Sequence, residues 1–131
     1  MKKRRLKSYR LQRLVRRLCE NCREPYTPTR EQLGDINLSQ TDLEESGGII
    51  YRAKGCSQCL GTGYSGRLGI YELLEVTDEV QKLVIKESDA NTIKRAAVAN
   101  GMETLREDGA KKVIEGITTI EEVMRVTQED H

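Results

Sequence analysis

The chain has 131 residues, enough for one domain or for a small domain with an appended subdomain. Only 37% of the residues are hydrophobic, Phe and Trp are absent and five Tyr are the only aromatics, so any core is a modest one of Leu, Ile, Val and Ala. No apolar stretch approaches the ~18 residues that a membrane-spanning helix needs. The formal net charge of +1 hides a segregation: the nine charged residues through Arg17 are all basic, leaving 13 of the 22 basic residues against all 21 acidic ones.

That basic leader comprises Lys2, Lys3, Arg4, Arg5, Lys7, Arg10, Arg13, Arg16 and Arg17. It lacks the sustained apolar run and small-residue cleavage site of a signal peptide. Within it Leu11, Leu14, Val15 and Leu18 recur at i, i+3, i+4 and i+7, which predicts a basic amphipathic helix over residues 1 to 18. The stripe favours docking onto protein; a basic arm can also meet nucleic acid or an anionic lipid surface.

The predicted helix runs into Cys19. Cys19 and Cys22 form one C-x2-C pair, Cys56 and Cys59 form a second, and the chain has no other cysteine. Zn2+ takes four soft ligands in a tetrahedron at about 2.3 Å, and two residues between paired cysteines let both thiolates of a tight turn reach one ion. Four thiolates leave no position for water, so such a site is structural rather than catalytic. An even cysteine count in a short chain also fits disulfides, and free thiols that merely pack are a third reading. The leader argues for a reducing compartment, where paired cysteines usually hold metal. The 33 residues between the pairs exceed common zinc-ribbon spacings. Loop-closure entropy grows by only about 0.6 kcal/mol per doubling of length, so the spacing is compatible with one shared ion.

Between the pairs, Pro25, Pro28 and the Thr29/Gln32 capping-box pattern predict a turn and a short helix from about residue 28 or 29 to 33. Thr41 with Glu44 marks a second short helix ended by Gly47 and Gly48. The β-rich residues 49 to 53 lead into Cys56. Gly61 follows Cys59 by two positions, where a residue without Cβ lets backbone N–H groups turn toward the sulfurs; the first pair lacks this glycine and is expected at a helix end. Arg23, Arg52 and Lys54 lie near the ligands in sequence and are candidates to offset the −2 charge of a zinc tetrathiolate, with ordinary solvated charge as the alternative.

Residues 67 to 75 read as extended. Gly61, Gly63 and Gly66 read as a flexible turn around the metal, not as a phosphate loop: the P-loop needs a lysine directly after its last glycine, and no lysine follows a glycine anywhere in the chain. No ATP site is therefore expected, and residues 19 to 76 are read as a tetracysteine zinc subdomain. From 77 to 131 the chain reads as a helical subdomain. Thr77 caps a helix bearing Val80, Leu83 and Val84, and Ile93, Ala96 and Ala97 mark a second, closed by Asn100 and Gly101. A third spans about 104 to 115 with Val113, Ile114 and Ile117 inward, and Thr119 with Glu122 reads as a capping box for a fourth. The expected class is α+β and mostly helical: a small tetracysteine subdomain with a short β element, followed by a C-terminal helical bundle.

Three blocks together carry a family resemblance. They are QRLVRRLCxxC from Gln12 to Cys22, GCxxCxGxGYxGRxGIYELL from Gly55 to Leu74, and GMxTLREDG from Gly101 with GITTIEEV from Gly116. In this order they resemble the C-terminal zinc region of the type II secretion and type IV pilus assembly ATPases. The resemblance implies a cytoplasmic hexameric motor working at an inner-membrane complex, with Cys19, Cys22, Cys56 and Cys59 holding one structural zinc. It implies partners in the remainder of the ATPase hexamer or in the inner-membrane assembly platform, and no small-molecule substrate. The nucleotide-binding and hydrolytic motifs of that family lie upstream of its cysteines, and here only the basic leader lies there. The chain is therefore expected to be a fragment or truncated paralogue, inactive alone. The only histidine, His131, is terminal and is no candidate catalyst.

Two other classes compete. The string from Cys56 to Gly63 also resembles one repeat of the zinc domain of J-domain co-chaperones, but the first cysteine pair breaks that pattern. A zinc-dependent nucleic-acid binder would rest on the basic arm. No nucleophile and base pair can be named for an autonomous enzyme.

Overall fold

The computed structural model describes residues 7 to 127, with side chains from residue 10 onward. Lys2, Lys3, Arg4 and Arg5 of the basic leader, and His131, lie outside the described residues. Among the described residues 48 are helical and 31 lie in strands, as expected of a mostly helical α+β protein.

The leader corrects the sequence reading. Residues 7 to 18 form not a helix but strand β1 (Lys7–Leu18), paired antiparallel along its whole length with β4 (Tyr64–Val76). Arg, Leu and Gln are good helix formers, but a 13-residue strand far along the chain offers a ladder of backbone hydrogen bonds that local propensity does not outweigh. Val15 is fully buried with Ile70, whereas Leu11 and Leu14 stay 39% and 46% exposed. The stripe that suggested a helical face is thus split between the two faces of a strand. Cross-strand stacking assists: Arg10 lies over the Tyr71 ring and Arg16 over the Tyr64 ring.

β4 also starts three residues earlier than the expected extended segment and absorbs Gly66, expected in the flexible turn. Between the pairs Arg16–Arg67 and Leu18–Tyr64 the register shifts. Ser65 and Gly66 there oppose Arg17 alone, and Gly66 takes the left-handed conformation (φ +81°) that such a bulge requires.

A second, short ribbon pairs β2 (Glu24–Tyr26) with β3 (Ile50–Arg52). Between them lie α1 (Arg30–Asp35) and α2 (Gln40–Glu45). Thr29 and Gln32 form the expected capping box of α1. The box of α2 is Ser39 with Asp42, two residues earlier than the Thr41 pattern suggested, because Asp42 Oδ2 reaches back to the Ser39 N–H.

Four helices follow β4. They are α3 (Asp78–Ile85), α4 (Ala90–Ala99), α5 (Leu105–Ile114) and α6 (Ile120–Thr127), the first three capped by Thr77, Asp89 and Thr104. The larger core joins Leu33, Ile36, Leu43 and Ile50 to Ala110, Val113, Ile120 and Val123. Helices α5 and α6 thus close over the segment between the two cysteine pairs. They approach so closely that a Cβ at Gly109 would come within 2.6 Å of Val123. Leu105 joins Val15 and Ile70 in a smaller core beneath the long ribbon.

Candidate metal centre

The two cysteine pairs converge at the ends of the two ribbons. Cys19 follows β1, Cys22 closes the turn into β2, and Cys56 and Cys59 lie between β3 and β4. Their four Sγ atoms all lie within 4.8 Å of one another. Cys19 to Cys56 and Cys22 to Cys59 are each 3.8 Å apart, and Cys56 to Cys59 is 3.7 Å. A regular tetrahedron with metal–sulfur bonds of about 2.3 Å has sulfur–sulfur edges of about 3.8 Å. The distances suit four thiolates around one ion, and they are well beyond the ~2.05 Å of a disulfide bond. All four are free cysteines, two buried and two half-buried.

Backbone and side-chain N–H groups converge on the sulfurs as they do around bound thiolates. The Gly55 N–H donates to Cys22 Sγ at 3.3 Å, the Cys56 N–H to Cys59 Sγ at 3.2 Å and the Gly63 N–H to Cys59 Sγ at 3.1 Å. Asn21 Nδ2 donates to Cys56 Sγ at 3.3 Å. The glycine that serves a sulfur in the second pair is therefore Gly63 rather than Gly61, whose N–H goes to the Cys56 carbonyl. Gly63 has φ +84°, and a Cβ there would meet the Ala53 Cβ at 2.6 Å. Gly55 has φ +109° and faces the Gly61 carbonyl oxygen in the same way.

These donors set the acidities. Burial pushes the Cys59 thiol up, but the N–H groups of Cys56 and Gly63 outweigh it and bring it down to about 6. Cys56 is also lowered, chiefly by Asn21. Cys22 moves the other way: burial raises it to about 11, against the single N–H of Gly55. The second pair is thus prepared to give up its protons, a prerequisite for metal binding.

The first pair sits not at a helix end but in a turn following a strand, with the Arg23 N–H donating to the Cys19 carbonyl. Its support comes from the C-terminal segment. The Leu18 N–H donates to the Ile117 carbonyl at 2.7 Å and Thr118 Oγ1 donates to the Arg16 carbonyl at 2.7 Å. The Arg16 N–H donates to Glu122 Oε1 at 2.7 Å. Glu122 is 2% exposed; burial pushes its carboxyl up, and hydrogen bonds from Arg125 and Arg16 outweigh that and hold it at about 2. The anticipated box at Thr119 is accordingly half made: the Thr119 hydroxyl accepts from the Glu122 N–H, but the carboxylate belongs to Arg16 and Arg125.

The three cations suggested as counter-charges are engaged elsewhere. Arg23 stacks on Tyr51 and donates to the Gly116 carbonyl, Arg52 stacks on Tyr26, and Lys54 pairs with Glu24 at 3.8 Å. Asn21, Gly55 and Glu122 were not anticipated. Asparagine inside a C-x2-C turn and a glycine directly before a cysteine are signals that could have identified the first two. Nothing local to residue 122 points to residue 16.

Among the described residues no helix is long and apolar enough to cross a membrane. Residues 5 to 125 match the family model described as "Type II/IV secretion system protein". The chain is 46% identical over 118 residues to the type IV pilus assembly ATPase PilB of Thermus thermophilus, an alignment covering 90% of this chain and 13% of that protein. It is 45% identical over 118 residues to the type II secretion system ATPase E of Vibrio cholerae, covering 90% and 22% respectively. With the type II secretion system protein E of Pseudomonas aeruginosa the identity is 40% over 119 residues, covering 91% and 23%. The chain thus spans less than a quarter of the length of these curated relatives. With nearly its whole length matched in order, from β1 through both cysteine pairs to α6, the chain belongs to the type II/IV secretion system protein family.

Proposed function

We propose that this chain is the zinc-binding structural and docking region of a type II secretion or type IV pilus assembly ATPase, without ATPase activity alone. The observation that carries the proposal is the convergence of the four Sγ atoms, all within 4.8 Å of one another and three of their separations 3.7 to 3.8 Å, in a chain of this family. Cys19, Cys22, Cys56 and Cys59 would hold the ion. Bound Zn2+ would fix the ends of the two ribbons without offering an open coordination position, so its chemistry is structural. The modest core supports this role, since metal binding contributes folding free energy on the order of 10 kcal/mol in small zinc domains.

Docking would be to the remainder of the ATPase hexamer or to assembly-platform proteins, in the cytoplasm and peripheral to the inner membrane. The nucleic-acid alternative loses support in the described part of the basic arm, where Arg10 stacks on Tyr71 and Arg13 donates to the Gln12 carbonyl. Elemental analysis of the purified chain tests the metal, with one zinc per chain expected. An ATP-hydrolysis assay on the same sample is expected to read background; substoichiometric zinc or steady turnover would overturn the proposal.

A further inference from the structure

The outward face of the long ribbon concentrates positive charge that the metal centre does not use. Arg16 and Arg67 stand directly opposite each other in the β1–β4 register. Directly opposed residues share a face, where like charges repel. Arg125 reaches the same place from α6, and the three arginines with Leu14 line a cavity of about 450 Å³. Among the described residues one carboxylate, Glu122, pairs with them. Both oxygens of Glu122 are taken up by Arg16 and Arg125, and among the described residues the Arg67 side chain has no hydrogen-bond or ion-pair partner. Two positive charges are left uncompensated in one concavity.

The site is also held in shape without a ligand. The Arg16 guanidinium lies 4.1 Å from the Tyr64 ring centroid, and the Tyr64 hydroxyl is anchored to Thr119 Oγ1 at 2.9 Å. Glu122 fixes Arg16 and Arg125 relative to each other, while their side chains remain 47% and 54% exposed. Less side-chain freedom is therefore lost on binding, and the guanidinium forks stay reachable. A carboxylate carries one charge and two oxygens. A terminal phosphate carries close to two charges and three acceptor oxygens, which suits three guanidinium groups with a net charge of +2.

We propose that Arg16, Arg67 and Arg125 form a binding site for a phosphate group, carried by a soluble phosphate ester or by an anionic lipid headgroup. The site goes beyond the zinc and docking role and uses none of the metal ligands, so either reading can fail without the other.

The test is titration of the full chain with inorganic phosphate at low, constant ionic strength, followed by calorimetry and by the arginine Nε–Hε resonances. Saturable binding is expected, weakened about tenfold or more by Arg67→Gln, from the usual strength of hydrogen bonds to charged groups. The Arg67 side chain is exposed and its backbone place in β4 is kept by glutamine, so Arg67→Gln is expected to keep the parent circular dichroism; Lys82→Gln on α3 should bind as the parent does. ADP binding that phosphate displaces and Arg67→Gln weakens would identify a soluble ester. Sedimentation with phosphatidic acid vesicles, whose headgroup is a terminal phosphate, absent with phosphatidylcholine and lost in Arg67→Gln, would identify a headgroup. Undiminished phosphate binding by Arg67→Gln, or equal weakening by Lys82→Gln, would overturn the site.

Discussion

The two halves of the candidate metal centre are built by different means. Around Cys56 and Cys59 the chain supplies its own scaffold: the donors to Cys59 come from Cys56 and Gly63, and the turn is closed by the Gly61 N–H on the Cys56 carbonyl. Around Cys19 and Cys22 the scaffold is borrowed from residues about a hundred positions away. Gly116, Ile117, Thr118 and Glu122 all hold the strand and turn that carry the first pair. A local scaffold sets ligand acidity through hydrogen bonds, and the lowered Cys59 beside the raised Cys22 records that difference. A borrowed scaffold instead ties the centre to the closure of α6 over the rest of the molecule.

The largest perturbation removes what both halves share. Chelating the proposed zinc is expected to cost folding free energy on the order of 10 kcal/mol and to abolish the cooperative thermal transition, read by circular dichroism with zinc add-back as the control. A metal-free chain with an unchanged transition would mean that neither half depends on the ion.

Next comes a contrast inside the local half. Gly63→Ala places a methyl group 2.6 Å from the Ala53 Cβ at φ +84°, whereas Gly61→Ala has a similar φ of +81° and open space. Urea denaturation is expected to show a loss of about 3 kcal/mol for Gly63→Ala, combining overpacking with backbone strain. Gly61→Ala should lose about 1 kcal/mol, from strain alone. Equal losses would show that the fit against Ala53 is unimportant.

The borrowed half is tested by Glu122→Gln. Because the folded carboxyl is held at about 2 against an ordinary 4.5, its contribution is fully present above about pH 4.5 and is lost as pH falls toward 2. The parent is expected to exceed Glu122→Gln by roughly 2 kcal/mol at pH 7, after allowance for the half-exposed arginines, and the gap should narrow through that acid window. Urea midpoints at pH 7, 4 and 3 measure it; a constant gap would remove the ion pair from the explanation.

The smallest effect is expected from Asn21→Ala, which deletes the side-chain donor to Cys56 Sγ. About 1 kcal/mol of zinc affinity should be lost, measured by competition with a chelator. No change would leave Cys56 dependent on backbone donors only.

Much of this was legible because it is local. Two residues between paired cysteines, a threonine three before a glutamine, and glycine where φ must be positive are patterns written within a few positions, and they gave the four thiols, the Thr29 box and the turn around Cys59. The strand nature of β1 was not legible, since its pairing partners lie 46 to 69 residues later and its apolar spacing fits a helix. Nor was the fate of Glu122, whose sequence context spells a capping box while its carboxylate serves Arg16.

The sequence by itself determined which atoms can meet a metal, because ligand identity and the reach of a C-x2-C turn are covalent and local properties. Only the tertiary structure decided how the two pairs are held at one point. The backbone groups of Arg16 and Leu18 that anchor the first pair are satisfied by Glu122, Thr118 and Ile117, and such pairing exists only once the chain has closed on itself.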